Sequence, residues 1–499
     1  MALYDSLPLG LSGYPLLGLI LLFTLIPILL HKLYGLLAKK QRPTSFLKSG
    51  SRPGSGTDLK TQFPPSSRQA LLSTPNPVST AKEYQKLLGA TPADVAVQSY
   101  QLPSTLPSSS LTESHPYFTP TGFSTADIEA LGRFPDYSVL SGVPHPTPCP
   151  EFDITTACFR PYRPFRWAYH QTMALSKFEP DFWIELEKNY FESLKQRKSL
   201  LDEHGSSILN YSPSPVSELA CRELMEMVLQ NLCIRYPRQF SLEESNTVFV
   251  NRLLDTRTDL TARHPLHVLF DNVPEDFAIM MRNEEDGVYH LRAGYICSSI
   301  GWTFGTHFGR PLRAIHTEVN DYDKMAKSMD KFFAKLPTNT SIQRGAWFIE
   351  DWKPLFVTPE EYALNAGTRY SDSNKPISID QCYLRVDWQT LRRLPLSGAI
   401  VFNFKAIFTP MTELRGEPYI PALLYKQVTE GKKLITEPKV HKHLLGVVLG
   451  ALQEWKREQV GRGVVEKGWE EATLAESPFY PGWEEVWRDR GGLGFNTGV

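Results

Sequence analysis

Neither sign of charge is in surplus in this chain: 53 Lys and Arg stand against 54 Asp and Glu, a formal net charge of -1. A general nucleic-acid binder needs a basic face to meet phosphates, and this balance supplies none. Cysteine is sparse as well. Cys149, Cys158, Cys221, Cys233, Cys297 and Cys382 are scattered, with no C-x-x-C pair and no ladder of close spacings. That argues against a zinc site, an iron-sulfur cluster or a disulfide framework, and it suits a reducing compartment. Nucleotide and hydrolase templates are missing too: no H-E-x-x-H, no G-x-S-x-G and no P-loop occurs, and Gly301 to Gly309 does not match G-x-G-x-x-G. No internal repeat is present. What the chain does have is a core-forming composition, 41% hydrophobic and 12% aromatic over 499 residues. That is enough for two or three domains, or for one large domain with long ends.

Residues 7–30 carry no charge over 24 positions. At a rise of about 1.5 Å per residue a helix of that length crosses a hydrocarbon core, so a transmembrane helix is expected. Asp5 precedes it while Lys32, Lys39, Lys40 and Arg42 follow it. The positive-inside rule then places this flank and the body behind it in the cytosol, as a single-pass membrane protein. Residues 41–120 turn to Ser, Pro, Thr and Gly, a disordered tether that cannot bury enough apolar area to offset its ordering entropy.

The body alternates between two periodicities. Phe178, Phe182, Trp183, Leu186, Tyr190 and Leu194 predict a helix over Phe165 to Leu201, and Leu219, Leu224, Met227, Val228 and Leu232 predict another over Val216 to Ile234. Strands are predicted at Asp276 to Met281 and Val288 to Ser299, joined by a turn with an Asp-Gly signal. An irregular stretch follows, then an amphipathic helix from Asp323 to Leu336 and three further strands: Ser341 to Ile349, Gln381 to Thr390 and Gly398 to Phe408. Two strands, a helical middle and three strands is the order of a PAS-type sheet. The expected fold is therefore α+β, a PAS-like antiparallel sheet with flanking helices. His441 to Trp455 reads as a final helix, within a C-terminal segment 426–499.

Chemistry concentrates on one strand. In Gln381 to Thr390 the period of two puts Cys382, Leu384, Val386 and Trp388 on one face and Tyr383, Arg385, Asp387 and Gln389 on the other. That polar row is either a pocket wall or a solvated outer face. His316 sits between the irregular stretch and the following helix. There a neutral imidazole is either a satisfied structural residue or an axial heme ligand or general base. Asp321-Tyr322-Asp323 has the D-x-D form some glycosyltransferases use for a metal-bound sugar nucleotide, and equally suits capping of the next helix.

Several separated motifs resemble one family in order: Glu275-Asp276-Phe277, Gly309-Arg310-Pro311-Leu312 leading into Ile315-His316, Arg344 with Trp347, and Leu384 through Pro395, LRVDWQTLRRLP. Over roughly 164–425 the chain is similar to the heme-dependent oxidative N-demethylase alpha-subunit-like family, long described as a domain with an RLP motif. The resemblance implies heme b in a PAS-like domain, with oxygen activated beside a small secondary amine. By motif it assigns His316 as the axial ligand of the heme iron. It assigns Arg385, Asp387 and Gln389 to the polar site, with Arg344 and Tyr383 as further members. An arginine can stabilise negative charge developing on oxygen, and a carboxylate can hold an ammonium substrate or relay its proton. Two positions depart from the pattern: Asp387 stands in place of glutamate and Ala346 in place of asparagine.

Three functions are open on this reading. One is a membrane-tethered heme oxidoreductase, a monooxygenase taking a small amine and receiving electrons from a separate reductase, because the chain shows no dinucleotide fingerprint and no iron-sulfur cysteine pattern. The second is a non-catalytic heme or small-molecule sensing module of the same fold. The third is a Golgi-type glycosyltransferase, against which the charge flank argues.

Overall fold

The computed structural model describes residue 128 and residues 131–169, 173–283, 287–317, 322–369 and 377–492. The helix expected over residues 7–30 and the tether over 41–120 lie outside the described residues. No helix among the described residues is long and apolar enough to cross a membrane.

The described strands, in chain order, are β1 (Ser176–Lys177), β2 (Leu209–Tyr211), β3 (Phe240–Glu243), β4 (Val248–Asn251), β5 (Thr256–Asp259), β6 (Asp276–Arg282), β7 (Tyr289–Tyr295), β8 (Ile342–Glu350), β9 (Tyr383–Arg393) and β10 (Ile400–Pro410). Seven of them make one antiparallel sheet in the order β1-β8-β9-β10-β6-β7-β2, and β3, β4 and β5 form a separate meander. The longer helices are α1 (Tyr190–His204), α2 (Pro215–Arg235), α3 (Pro265–Asn272), α4 (Tyr322–Lys335), α5 (Pro359–Arg369), α6 (Ile420–Glu430) and α7 (Leu445–Gly461).

This architecture corrects the expected PAS-like sheet. Strands form near the five expected places, but they belong to a seven-stranded sheet, and a second sheet stands beside it. β1 and β2 are two and three residues long, too short to leave an alternating pattern. The helix expected over Phe165 to Leu201 is also corrected. Its described residues before Tyr190 hold the two-residue β1 and a 3-10 turn at Pro180–Phe182 in otherwise irregular chain, and α1 begins only at Tyr190. Buried aromatics at spacings of three and four served an irregular segment equally well, and Pro180 starts the turn rather than continuing a helix.

One face of the large sheet dictates the extra layer. Leu384, Val386 and Trp388 of β9, Trp347 and Ile349 of β8, Phe277 and Ile279 of β6 and Val401 of β10 are buried in one cluster with Leu224, Val228 and Leu232 of α2, Val268 and Leu269 of α3, and Val448 and Leu452 of α7. An apolar sheet face cannot remain in water, so helices cover it. Trp388 is anchored further by its Nε1 donating to Gln343 Oε1 at 3.1 Å. Truncating either buried indole to alanine would cost about 3–5 kcal/mol.

The RLP turn closes this packing. Arg393 donates to the carbonyls of Phe333 and Leu336 at the end of α4, to Gly398 O at 2.7 Å and to Tyr289 Oη at 3.0 Å. Arg392 lies 4.2 Å above the Trp183 ring. Glu223 of α2 accepts from the Leu396 and Ser397 amides and from Ser397 Oγ. The basic turn is thus a buried clamp between the sheet and two helices. Gly294 has a similar constraint: at φ +140 its Cβ would fall 2.2 Å from Phe277 O, so β6 and β7 can pair closely only with glycine there.

Candidate functional site

The opposite face of the sheet carries the polar row. In register, Arg344 of β8, Gln389 of β9 and Phe404 of β10 share one rung, Ala346, Asp387 and Ala406 the next, and Phe348, Arg385 and Phe408 the third. A cavity of about 300 Å³ lies on this face. It brings together three of the sequence-predicted residues, Arg385, Asp387 and Gln389, beside Phe348, Glu350 and Phe404. Most of the remaining wall comes from Ile296, Ser298 and Trp302, from Trp352, Pro354, Val357 and Tyr362, and from Pro438, His441 and His443, with Lys405 of β10 also in the lining. Three members of the polar row, Arg385, Asp387 and Gln389, thus line a pocket.

Within the cavity the roles separate. Arg385 is 2% exposed and its donors are committed: Nε to Asp387 Oδ1 at 2.7 Å, one terminal nitrogen to Ser298 O at 3.0 Å and the other to Pro354 O. It ties three walls together and fixes the Asp387 carboxylate by a charge-assisted bond. Asp387 remains partly open, its second oxygen free to accept from a ligand. Asp387 and Ala346 are cross-strand neighbours on one rung, with Asp387 lining this cavity and Ala346 a second one.

The other predicted residues fall outside this cavity. Tyr383 faces Glu350 across the ladder, and Lys353 Nζ stands 4.7 Å over its ring. Arg344 lines a second cavity of about 290 Å³ at the outer edge of β8. His316 lines neither cavity. Its position follows from a chain of local contacts: Gly309 N donates to Leu291 O, Leu291 N to Arg310 O, and Pro311 bridges His290. This pins the short helix Leu312–Ile315 beside β7.

Does His316 fit an axial heme ligand? Its Nδ1 lies 2.8 Å from Leu312 O. A carbonyl only accepts, so Nδ1 carries the proton and Nε2 keeps its lone pair, the arrangement a metal-ligating histidine needs. Burial lowers its pKa, and the nearby Arg344 charge lowers it further against the bond to Leu312, so the ring is neutral at pH 7. Tyr322 stacks on it at 5.2 Å and 4°, within an apolar cluster that includes Leu312, Met329, Phe333 and Phe402, with Ile315 and Met325 packed against it. Tautomer, neutrality and apolar surroundings all fit. For the D-x-D reading, Asp321 lies outside the described residues, and no group of His, Cys, Asp or Glu among the described residues could hold a metal ion.

Sequence reasoning missed the segment Pro438 to His443. The final helix was expected from His441, yet α7 starts at Leu445 after a 3-10 turn, Lys442–Leu444. Val440 forms a parallel bridge with Ile349, and the chain on either side of it reaches the site. His441 Nε2 lies 3.1 Å from Glu350 Oε2 and His443 Nε2 3.1 Å from Asp351 Oδ2, with the two rings stacked at 5.7 Å and 22°. The signal was present: Pro438 breaks a helix, and H-x-H puts both rings on one side of non-helical chain. The insert between Ile349 and Gln381, unplaced from sequence, supplies Trp352, Pro354, Val357 and Tyr362 to the cavity.

A family model described as haem-dependent oxidative N-demethylase, alpha subunit-like, matches residues 174–449. The match covers more than half of the chain and includes all ten described strands, the Arg385 to Gln389 wall and His316.

Proposed function

From its membership of the heme-dependent oxidative N-demethylase alpha-subunit-like family, to which the chain belongs, we propose that this protein is a heme oxidoreductase acting on a small amine bound in the cavity over β9. The observation that carries the substrate side is Asp387: a carboxylate on the cavity wall, oriented through one oxygen by Arg385 and open at the other. A secondary ammonium donating to that oxygen would be held with its methyl group directed into the cavity. Gln389 offers an amide on the same row. Ile296, Trp302, Phe348 and Phe404 provide apolar walls that exclude water and strengthen the ammonium-carboxylate attraction.

His316 is the residue proposed to hold a heme b through Nε2, with Leu312 O as the partner that fixes its tautomer. When bound, the heme supplies oxygen activation. Electrons come from a separate reductase, because the sequence contains no nucleotide fingerprint and no cysteine cluster.

The test is spectroscopic first. Full-length protein supplied with heme is expected to show a Soret band that weakens and shifts in His316→Ala. With a reductant, a small secondary amine should then stimulate oxygen uptake and release formaldehyde. No Soret band, or a His316→Ala spectrum like that of the wild type, would overturn the heme assignment. Heme binding without amine-dependent oxygen uptake would leave a heme-sensing module instead of an enzyme.

A further inference from the structure

The second cavity, at the edge of β8, has an unusual electrostatic composition. β1 covers β8 only opposite Ile342 and Gln343, and the next contact along that edge is the Ile349 bridge to Val440. Between them the edge borders a cavity of about 290 Å³ lined by Arg166, Arg344 and Lys439, with Tyr169, Trp347 and Ala346. No Asp or Glu side chain is among its described lining residues. Neither the Arg344 guanidinium nor the Lys439 ammonium has a carboxylate within ion-pair distance among the described residues, and Arg344 Nε is buried with no hydrogen-bond partner.

Cations in this position are costly. Burial lowers the pKa of Arg344, and the Arg166 charge lowers it further. Burial also pushes the Lys439 ammonium down to about 8, Arg344 adding to the effect while the Asp387 carboxylate opposes it. Lys439 rests over the Phe348 ring at 4.4 Å and the Trp347 ring at 5.8 Å, contacts that offset only part of its lost hydration. A protein that surrounds a guanidinium and an ammonium without neutralising them has left the neutralising charge to a ligand.

We propose that the cavity bounded by Arg166, Arg344 and Lys439 is a carboxylate-binding site. Two guanidinium groups suit the planar, two-oxygen geometry of a carboxylate, which they can grip bidentately. The ring faces of Tyr169 and Trp347 suit a short carbon body attached to it. The cavity is too large for a halide alone. This inference stands on the cavity's own charges and does not need the amine reading. Its carboxylate has two possible sources, a heme propionate or a free organic acid, and the chemistry at the cations is the same for both.

The experiment uses the full chain and two probes. Succinate binding to heme-free protein is measured by calorimetry. Binding of heme is compared with binding of heme dimethyl ester, whose propionates are masked, by Soret titration. Variants are Lys439→Gln, Arg344→Gln and the rescue Lys439→Arg, each checked for wild-type unfolding. If the source is a free acid, succinate binds and each Gln variant weakens it at least tenfold, with Lys439→Arg restoring most of the loss and the two porphyrins binding alike. If the source is the cofactor, heme binds at least tenfold more tightly than its ester, and the Gln variants remove that preference. Succinate and porphyrin binding unaffected by every variant would overturn the site, and phosphate binding as tightly as succinate would overturn its assignment to carboxylates. Failure of the amine reading shows in oxygen uptake alone and leaves both readouts unchanged.

Discussion

Arg393 should matter for stability and not for ligand recognition, although it lies within the residues that the family model matches. Its guanidinium meets four acceptors: the Phe333 and Leu336 carbonyls at the end of α4, Gly398 O and Tyr289 Oη. Arg393→Met keeps much of the aliphatic volume and removes every donor. Three carbonyls and a buried phenol then lose their partner, each at a cost of about 1 kcal/mol or more. Part of this is offset because a buried guanidinium no longer has to be desolvated. The expected net loss is about 3–5 kcal/mol, the range for breaking a buried charged network from one side. Urea unfolding followed by tryptophan fluorescence reads it as a lower midpoint at unchanged slope. Arg393→Lys keeps the charge without the planar fork and should recover less than about half of the loss. The affinity of the folded variants for heme or amine should stay within twofold of wild type. An Arg393→Met midpoint equal to that of wild type, or a binding defect without a stability defect, would refute the structural role.

Two further outcomes follow from the same geometry. Glu223 is pushed up to about 7 from an ordinary 4.5 by burial, against the hydrogen bonds from Ser397 and Leu396. A carboxyl with a raised folded pKa stabilises the fold fully below its unfolded value and loses that contribution as pH rises through its folded one. Urea midpoints should therefore fall between about pH 4.5 and 7, by up to about 3 kcal/mol, and Glu223→Gln should flatten most of that slope. A slope that persists in the variant would assign it to other groups. Asp387→Asn keeps the shape of the cavity wall but removes its charge. It should weaken a secondary-amine ligand at least tenfold by calorimetry while leaving a Soret spectrum unchanged, and equal amine affinity in both proteins would remove Asp387 from the site.

The legible part of this molecule was the part where one period decided the outcome. Alternation over Tyr383 to Gln389 sorted apolar from polar side chains correctly, because a strand paired on both sides has no other way to place them. The expected strand positions and the helix at Tyr322–Lys335 followed from the same reasoning. What failed was whatever depended on partners far away in sequence. The edge strands are too short to show a period, and the helical layer follows from the need to cover an apolar face. No pattern in Arg392 and Arg393 says that both are buried. Arg385 looked free for catalysis, yet Ser298 O and Pro354 O, more than thirty residues distant in sequence, use its outer nitrogens. His441 and His443 were hidden by a helix assigned a few residues too early, and nothing in the sequence before it marked Lys439.

The residues that lock the hairpin turn and those that line the cavity are consequently different residues of one hairpin. Arg393 and, through Ser397, Glu223 lock the turn, while Asp276 holds Arg197 at 2.8 Å on the strand behind it. These contacts specify the sheet whatever ligand it binds. Ala346 and Asp387 share a single rung, with Asp387 five and six residues along β9 from Arg392 and Arg393 and Ala346 on the next strand. A change at Asp387 alters carboxylate reach in the cavity over β9, and a change at Ala346 alters the neighbouring cavity, without touching any residue that holds the turn, the apolar face or the short helix before His316. A fold divided in this way can change its ligand cavities without changing its sheet.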